Sequence, residues 1–294
     1  MSFYPRKRVS VVHVGRAGML EIESGAAAAI VDSSSENLLD ELRRRRRALA
    51  SRPFAIAGSV FLLIAAACAP WPGWAILFAT VIAVTTIIAA GYRDRIAKTT
   101  EIVYELEPHV DAAFRRFTEW AHALARAGRM WHVAAAGGVA NRKYHAGANA
   151  VVQRNVTMVR TSAPPSVKTN VPVLSLGAGR QTLYFLPDRL LVYDAAGIGA
   201  ISYRTLDITA MPQRFVEEES VPRDATVVDR TWRYVNKSGG PDRRFRDNRE
   251  IPICLYDELT FRTSSGLYEV FQVSQRGLGE GFVAAVRYLA SVTP

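Results

Sequence analysis

The apolar run PFAIAGSVFLLIAAACA, residues 53–69, is followed after four residues by a second, WAILFATVIAVTTIIAAGY, residues 74–92. Neither contains a charged side chain, and their lengths of 17 and 19 residues approach the roughly 20 that a helix needs to span a bilayer. The intervening PWPG, residues 70–73, combines helix breakers with a tryptophan, which favours the membrane interface. Because a soluble helix pair needs polar positions at helical spacing, the sequence predicts a two-helix transmembrane hairpin.

Arginines stand beside both runs. Basic residues next to a span are retained on the cytoplasmic side, so both termini are expected in the cytoplasm and the hairpin in the inner (cytoplasmic) membrane. The same residues suit contact with anionic phospholipid headgroups. The membrane-flanking residues are Arg43, Arg44, Arg45, Arg46, Arg47 and Arg52 before the first run, and Arg93 and Arg95 after the second.

The composition limits the classes of protein. The 294 residues are 49% hydrophobic, which excludes general disorder. Lys and Arg number 37 against 27 Asp and Glu, so an anionic partner is favoured over a cationic one. Two cysteines cannot build a disulfide framework or a four-cysteine zinc site, and no metal site or cofactor is predicted.

Changes in pattern divide the chain into five parts. Residues 1–50 form an N-terminal cytoplasmic segment, in which Ser35 precedes a predicted helix that runs into the arginines. Residues 51–95 hold the hairpin, and residues 96–132 have the three- and four-residue spacing of an amphipathic helix, which Pro108 bends or restarts. Residues 133–170 are predicted to be a basic linker with one short strand, and residues 171–294 a β domain.

The β domain consists of short runs rich in β-branched and aromatic residues, separated by turns. A closing helix is predicted over residues 279–292, with Phe282, Val283, Val286 and Leu289 on one face. The fold class is therefore an α+β membrane protein with a C-terminal antiparallel barrel or sandwich and a terminal helix. Strands are predicted over residues 171–176, 181–186, 189–194, 199–203, 206–211, 226–235, 251–263 and 267–274.

Two strings within this domain carry a resemblance to a known family. TLYFLPDRLLVYD, residues 182–194, and GAISYRTL, residues 199–206, resemble the core of bacterial pleckstrin-homology-like (PH-like) and GRAM-like domains. The resemblance covers about 90 of the 294 residues. It implies a membrane-associated binding or scaffold module without catalysis, and it names no ligand. Residues 212–250 form a longer insertion than such domains usually carry.

The insertion contains the string TWRYVNKSGGPDRRFRDNR, residues 231–249. Its arginines interleave with aromatic residues, which suits an anionic ligand held by guanidinium groups and a stacked ring. They equally suit a loop folded back on the domain and paired with Glu217, Glu218 and Glu219. The candidate binding residues are Arg180, Trp232, Tyr234, Lys237, Arg243, Arg244, Arg246 and Arg249.

The sequence favours a binding role over catalysis. It contains no nucleophile elbow, glycine-rich phosphate loop or paired histidine ligands, so we expect no enzymatic activity. The first hypothesis is a membrane-anchored binding, scaffold or sensor protein that contacts the phospholipid bilayer and either a protein partner or its own copies. The alternative is a membrane-disrupting effector of a bacterial stress or immune system, triggered by a cytoplasmic signal. A third hypothesis, nucleic-acid tethering through the insertion, is not preferred.

Overall fold

The computed structural model describes residues 19–22, 24–30, 36–47, 51–68, 72–138, 150–236 and 238–293. The protein is α+β, with antiparallel sheets and a C-terminal helix, as predicted. The helices are α1 (Glu36–Arg47), α2 (Arg52–Cys68), α3 (Gly73–Lys98), α4 (Pro108–Ala125) and α5 (Leu278–Val292). The strands are β1 (Met19–Glu21), β2 (Thr100–Ile102), β3 (Met130–Gly138), β4 (Ala150–Thr157), β5 (Val159–Thr161), β6 (Val167–Thr169), β7 (Leu174–Ala178), β8 (Gln181–Phe185), β9 (Arg189–Tyr193), β10 (Ile198–Ser202), β11 (Asp207–Val216), β12 (Thr226–Trp232), β13 (Glu250–Arg262) and β14 (Tyr268–Val273).

The chain divides into two compact units. The first, called the β unit here, comprises the described parts of residues 1–36, 105–163 and 172–294. Its larger sheet has the order β1-β3-β14-β13-β11, with β4 paired to β3 and β12 paired to β13. Its second sheet is an antiparallel meander in the order β10-β9-β8-β7-β5.

An aromatic core joins the two sheets and helices α4 and α5. Phe117 of α4 lies with its ring centroid 5.4 Å from Phe185 of β8 and 5.5 Å from Phe282 of α5. Phe185 in turn meets Phe261 of β13 at 6.4 Å. Strand alternation explains this placement, because Leu259 and Phe261 are buried while their neighbours in β13 are less so.

The predicted elements of the C-terminal region are close to the observed ones. Strands β8, β9, β10, β13 and β14 and helix α5 each begin and end within one residue of the prediction. Helix α4 begins at Pro108, so the proline starts the helix rather than bending it. The predicted helical region, residues 96–132, was wrong for residues 99–107, which contain β2 and no helix. Strand β11 is longer than predicted and runs on to Val216.

The predicted linker, residues 133–170, was wrong for most of its described residues, although the one short strand predicted within it is present as β4 and β5. It holds most of β3 together with β4, β5 and β6, and β3 pairs with β1, β4 and β14 inside the larger sheet. The alanines and glycines of residues 134–138 have low strand propensity and no alternation. Pairing along both edges of β3 overrides that local preference.

The second unit, called the helical unit here, comprises the described parts of residues 37–104 and 164–171. Helices α2 and α3 pack antiparallel, with the Ser59 hydroxyl 3.4 Å from the Ala83 carbonyl and with Ala79 and Ala83 buried. The Asp94 carboxylate of α3 accepts hydrogen bonds from the backbone N–H groups of Ser51 and Arg52 at 2.7 and 2.8 Å. It therefore caps the first turn of α2.

The prediction of two membrane spans is supported for the second run only. Among the described residues one helical stretch, Ile76–Asp94 in α3, is long and apolar enough to cross a membrane. Helix α2 is apolar but has 17 residues, a length of about 25 Å at 1.5 Å per residue, against a hydrocarbon core of about 30 Å. The last residue of the first run, 69, and residues 70 and 71 of the predicted turn lie outside the described residues.

Candidate ligand-binding cavity

The β unit contains a cavity of about 610 Å³ beside the β7–β8 and β9–β10 turns. Small side chains supply most of its apolar wall and leave the space open. Its polar groups come from strands of both sheets and from the adjoining turns. The described lining residues are Ile22, Ser24, Ala26, His132, Ala134, Asn155, Ala178, Gly179, Arg180, Gln181, Asp194, Ala195, Ala196 and Glu269.

A buried histidine–glutamate pair forms one wall of the cavity. His132 Nε2 lies 2.6 Å from Glu269 Oε2, and the side chains are only 6% and 4% exposed. The Ser24 hydroxyl donates to the other carboxylate oxygen, Glu269 Oε1, at 2.6 Å. Because Ser24 bonds to the carboxylate and not to the imidazole, the three groups do not form a nucleophilic triad.

Gln181 forms the adjoining part of the wall. Its Nε2 donates to the Gly25 carbonyl at 2.8 Å, which fixes the orientation of the amide. Gln181 Oε1 and His132 Nδ1 are both buried and have no hydrogen-bond partner in the structure. Two unpartnered polar atoms on neighbouring walls of one cavity mark it as the candidate site, because such atoms are rare in folded proteins.

Asp194 attaches residues 24–30 to the wall of the cavity. Its carboxylate accepts from the backbone N–H of Ala27 at 2.7 Å and from that of Gly197 at 2.6 Å. The Ala200 N–H also donates to the Ile30 carbonyl at 3.1 Å. These bonds hold residues 24–30 in place, and Ser24 and Ala26 of that segment line the cavity.

Gly199 allows this close approach. A Cβ atom at position 199 would overlap the carbonyl oxygens of Ala27 and Ile30, and backbone cannot give way as a flexible side chain can. Gly199→Ala should therefore displace residues 24–30 at a cost of about 1–3 kcal/mol. We expect their amide deuterium uptake to accelerate by about 5- to 150-fold in hydrogen-exchange mass spectrometry.

Gly25→Ala is the matched control for that substitution. Its Cβ would meet only the Gly266 carbonyl, at an ordinary distance of 3.7 Å. Uptake in residues 24–30 should stay at the wild-type rate in this variant. Equal rates in Gly199→Ala and the wild type would contradict the account of how the segment is held.

A second buried polar cluster lies on the other side of β3. The Arg154 guanidinium bonds to both carboxylate oxygens of Glu217, at 2.7 and 2.6 Å, and its carbon lies 4.0 Å from the Trp131 ring centroid and 3.9 Å from that of Phe215. The Tyr256 hydroxyl donates to Glu217 Oε2 at 2.7 Å. Burial, followed by the bond to Glu217, raises the pKa of Tyr256, so its hydroxyl remains a donor.

The neighbouring Cys254 completes this cluster. The residue is fully buried, and burial raises the pKa of its thiol, so it has none of the thiolate character of a reactive cysteine. The cluster packs the insertion against β3 and β4, and its geometry is structural.

The described residues between 234 and 248 of the insertion are held by contacts with one another. Tyr234 stacks on Phe245 with ring centroids 4.1 Å apart. Asn248 bonds to the backbone of Tyr234 in both directions, and Asn236 Oδ1 accepts from the Gly240 N–H across the turn. The described residues of the string 231–249 therefore form a compact loop.

The predicted pairing of insertion arginines with the acids 217–219 was wrong for the carboxylates. Glu217 pairs with Arg154, and Glu219 Oε2 lies 3.4 Å from Arg129 Nη1. Arg249 reaches this region only through the backbone carbonyl of Glu218, at 3.2 Å. The partners are Arg154 of β4, a strand within the predicted linker, and Arg129, which directly precedes β3.

The structure separates the candidate binding residues. Arg180 lines the cavity, and Trp232 ends β12. Arg243, Arg244, Arg246 and Arg249 are exposed on the insertion, where Arg244 pairs with Asp242 at 2.9 Å. Lys237 lies outside the described residues.

Sequence reasoning missed His132, Gln181, Asp194 and Glu269 as cavity residues, since no motif or spacing relates them.

The membrane-flanking arginines lie on three helices. Arg44, Arg52 and Arg93 are exposed on α1, α2 and α3, and Arg43 is partly buried on α1. The side chains of Arg45, Arg46, Arg47 and Arg95 lie outside the described part of the chain. Within that part no three metal-ligating side chains converge.

Comparison with known proteins gives no significant match to a protein-family profile, a curated protein or a solved structure.

Proposed function

We propose that this chain is a membrane-anchored, non-catalytic binding protein. Helices α2 and α3 act as the anchor, and the β unit, a PH-like module in this proposal, binds a ligand or partner at the cytoplasmic face. The observation that carries the proposal is the exposed apolar surface of α2 and α3.

That surface is large and free of charge. Only 11% of the apolar stretch of α3 is buried, whereas the core helix of a soluble protein is mostly buried. An apolar surface of this size on a water-soluble protein would be exceptional. Large side chains that are 67–75% exposed on α2 and α3 are Phe54, Phe61, Trp74, Leu77, Phe78 and Tyr92.

The contacts between α2 and α3 support lipid as the surroundings of their exposed apolar surface. Small residues, Ser59, Ala79 and Ala83, face the helix contact, while large apolar residues point away from it. This arrangement is the reverse of a soluble helix pair and is typical of helices packed in a bilayer. Exposed arginines next to the apolar stretches, Arg52 and Arg93 among them, fit headgroup contact on the cytoplasmic side.

The shorter α2 is proposed to enter the bilayer beside α3. A helix a few ångströms too short is accommodated by local thinning, at a cost of a fraction of a kcal/mol per ångström. The Asp94 cap and the Ser59–Ala83 contact keep α2 beside α3. Both termini are then cytoplasmic.

A lysine in the centre of α3 should disrupt anchoring. Val84 is 50% exposed on α3, and Val84→Lys places a charge near the bilayer centre at a cost of about 2.5–3.5 kcal/mol. We expect the wild-type chain to float with vesicles in a density gradient and the variant to float to a clearly smaller extent. Val156→Lys, at a 67% exposed position of β4, should float like the wild type. A wild-type chain that stays at the bottom would refute the anchor.

Cysteine labelling in sealed vesicles separates one crossing from two. Thiols introduced at exposed Asp40 and Val103 flank the helix pair. Labelling of both by an impermeant maleimide from the same side is expected if both helices enter the bilayer. Labelling from opposite sides would overturn the hairpin and leave α3 as a single span.

Dye release tests the effector alternative. A non-disrupting anchor should leave vesicles sealed, so a trapped dye should be retained after reconstitution. Release that rises with the protein-to-lipid ratio would favour the membrane-disrupting effector instead.

A further inference from the structure

We propose that the 610 Å³ cavity of the β unit binds a small organic molecule that is neutral or cationic and carries at least two N–H or O–H donors. This inference rests on the proposed binding function and names the class of its ligand. It differs from the expectation drawn from the +10 net charge, which favours anions. The acceptor atoms and charges around the cavity determine which class of ligand can bind.

The first acceptor is His132 Nδ1. A carboxylate accepts hydrogen bonds, so at the 2.6 Å contact with Glu269 the proton lies on His132 Nε2. In the neutral ring that the proposal requires, Nδ1 carries a lone pair, and that atom is buried without a partner. Glu269 is itself held by Ser24, which fixes the orientation of the ring.

The second acceptor is Gln181 Oε1. The Gly25 carbonyl can only accept, so the Gln181 nitrogen must face it and the amide oxygen must be the unpartnered atom. Both unpartnered atoms on the cavity wall are therefore acceptors. A ligand with donors satisfies them, whereas an anion with acceptors alone adds repulsion.

The charged groups around the cavity also favour a neutral or cationic ligand. The described lining has two carboxylates, Glu269 and Asp194, and one guanidinium, Arg180, a sum of −1 with His132 neutral. An anionic ligand would meet both carboxylates in a partly enclosed space, where desolvation strengthens the repulsion. A neutral or cationic ligand meets no such cost.

The size and shape of the cavity admit such a molecule. Its volume lies within the roughly 300–1,000 Å³ range of small-molecule sites. Gly179 has φ +59°, and a Cβ at that position would lie 3.2 Å from His132 Cε1 and 3.5 Å from Nδ1. The glycine therefore leaves the Nδ1 edge of the imidazole clear of a side chain.

Benzamidine and benzoate are a matched pair of probes. Both are planar and of nearly equal size, but benzamidine is a cation with N–H donors and benzoate is an anion without donors. Titration calorimetry on the full chain in zwitterionic nanodiscs, with empty nanodiscs subtracted, should detect benzamidine at about 1 mM or tighter. Benzoate should bind at least tenfold more weakly.

Three variants locate the binding. Gln181→Met removes the acceptor and should lower the benzamidine-to-benzoate affinity ratio about tenfold, whereas a loosened structure would weaken both probes alike. Ala134→Leu fills the cavity without removing a hydrogen bond and should abolish binding of benzamidine. Arg214→Ala, at an exposed ion pair of β11 away from the cavity lining, should change neither affinity.

Other outcomes overturn the proposal. Equal affinity for the two probes, or an unchanged ratio in Gln181→Met, would refute the donor requirement. No binding of either probe would leave water as the partner of both acceptors and refute the site. Incorporation into nanodiscs reports on the membrane anchor separately, so failure of this inference is distinguishable from failure of the anchor.

Discussion

Arg154→Ala is expected to lower the free energy of unfolding by about 3–5 kcal/mol, because it removes one partner of a buried ion pair. The Arg154 side chain is 8% exposed and that of Glu217 is fully buried. Without the guanidinium, the carboxylate keeps the Tyr256 hydroxyl and the Glu219 N–H but no countercharge. The substitution also empties the space between Trp131 and Phe215.

Denaturant unfolding of the full chain in detergent, followed by tryptophan fluorescence, measures this loss. Arg154→Lys should restore little of it, because an ammonium group lacks the flat surface that stacks between Trp131 and Phe215. Arg214→Ala is the control, since its ion pair with Asp229 is exposed on both sides and should contribute nothing measurable.

The double variant Arg154→Met with Glu217→Leu sharpens the test. Replacing both charges by apolar groups of similar size removes the uncompensated carboxylate. It should therefore be less destabilising than either single loss, with a coupling energy of about 1–3 kcal/mol. Additive effects would mean that the two side chains act independently, against the geometry.

The C-terminal strands and helix α5 could be predicted from sequence because their signals are local. Alternation in β13 and turn residues such as Pro187 and Asp188 fix each element within a short window. Strand β3 has no such signal, since its alanines and glycines acquire strand geometry only from β1, β4 and β14.

Both polar clusters depend on contacts between residues far apart in sequence. His132 and Glu269 are separated by 137 positions, and Arg154 and Glu217 by 63. No spacing rule relates them, because a sheet order that places β3 between β4 and β14 is not encoded locally. The conspicuous string of the insertion, in contrast, forms a loop held by Tyr234, Phe245 and Asn248, with its arginines exposed.

Gly281→Ala is expected to destabilise the β unit by about 1–3 kcal/mol, although helix propensity alone predicts a gain of up to about 1 kcal/mol. A Cβ at position 281 would overlap the Trp120 ring, where α5 packs against α4. Moving that ring disturbs the contact beside Phe282 and the aromatic core. The sign of the effect therefore distinguishes interhelix packing from backbone propensity.

Trp120→Leu provides the rescue. It clears the volume that the added methyl group needs, so Gly281→Ala introduced into Trp120→Leu should cost less than in the wild-type chain, or should stabilise it. The two unfolding free energies, measured in the same detergent, give the coupling directly. A stabilising Gly281→Ala in the wild-type background would contradict the close approach of α4 and α5 at this point. The expected result instead assigns Gly281 to the helix contact, because only a residue without a side chain fits against the indole.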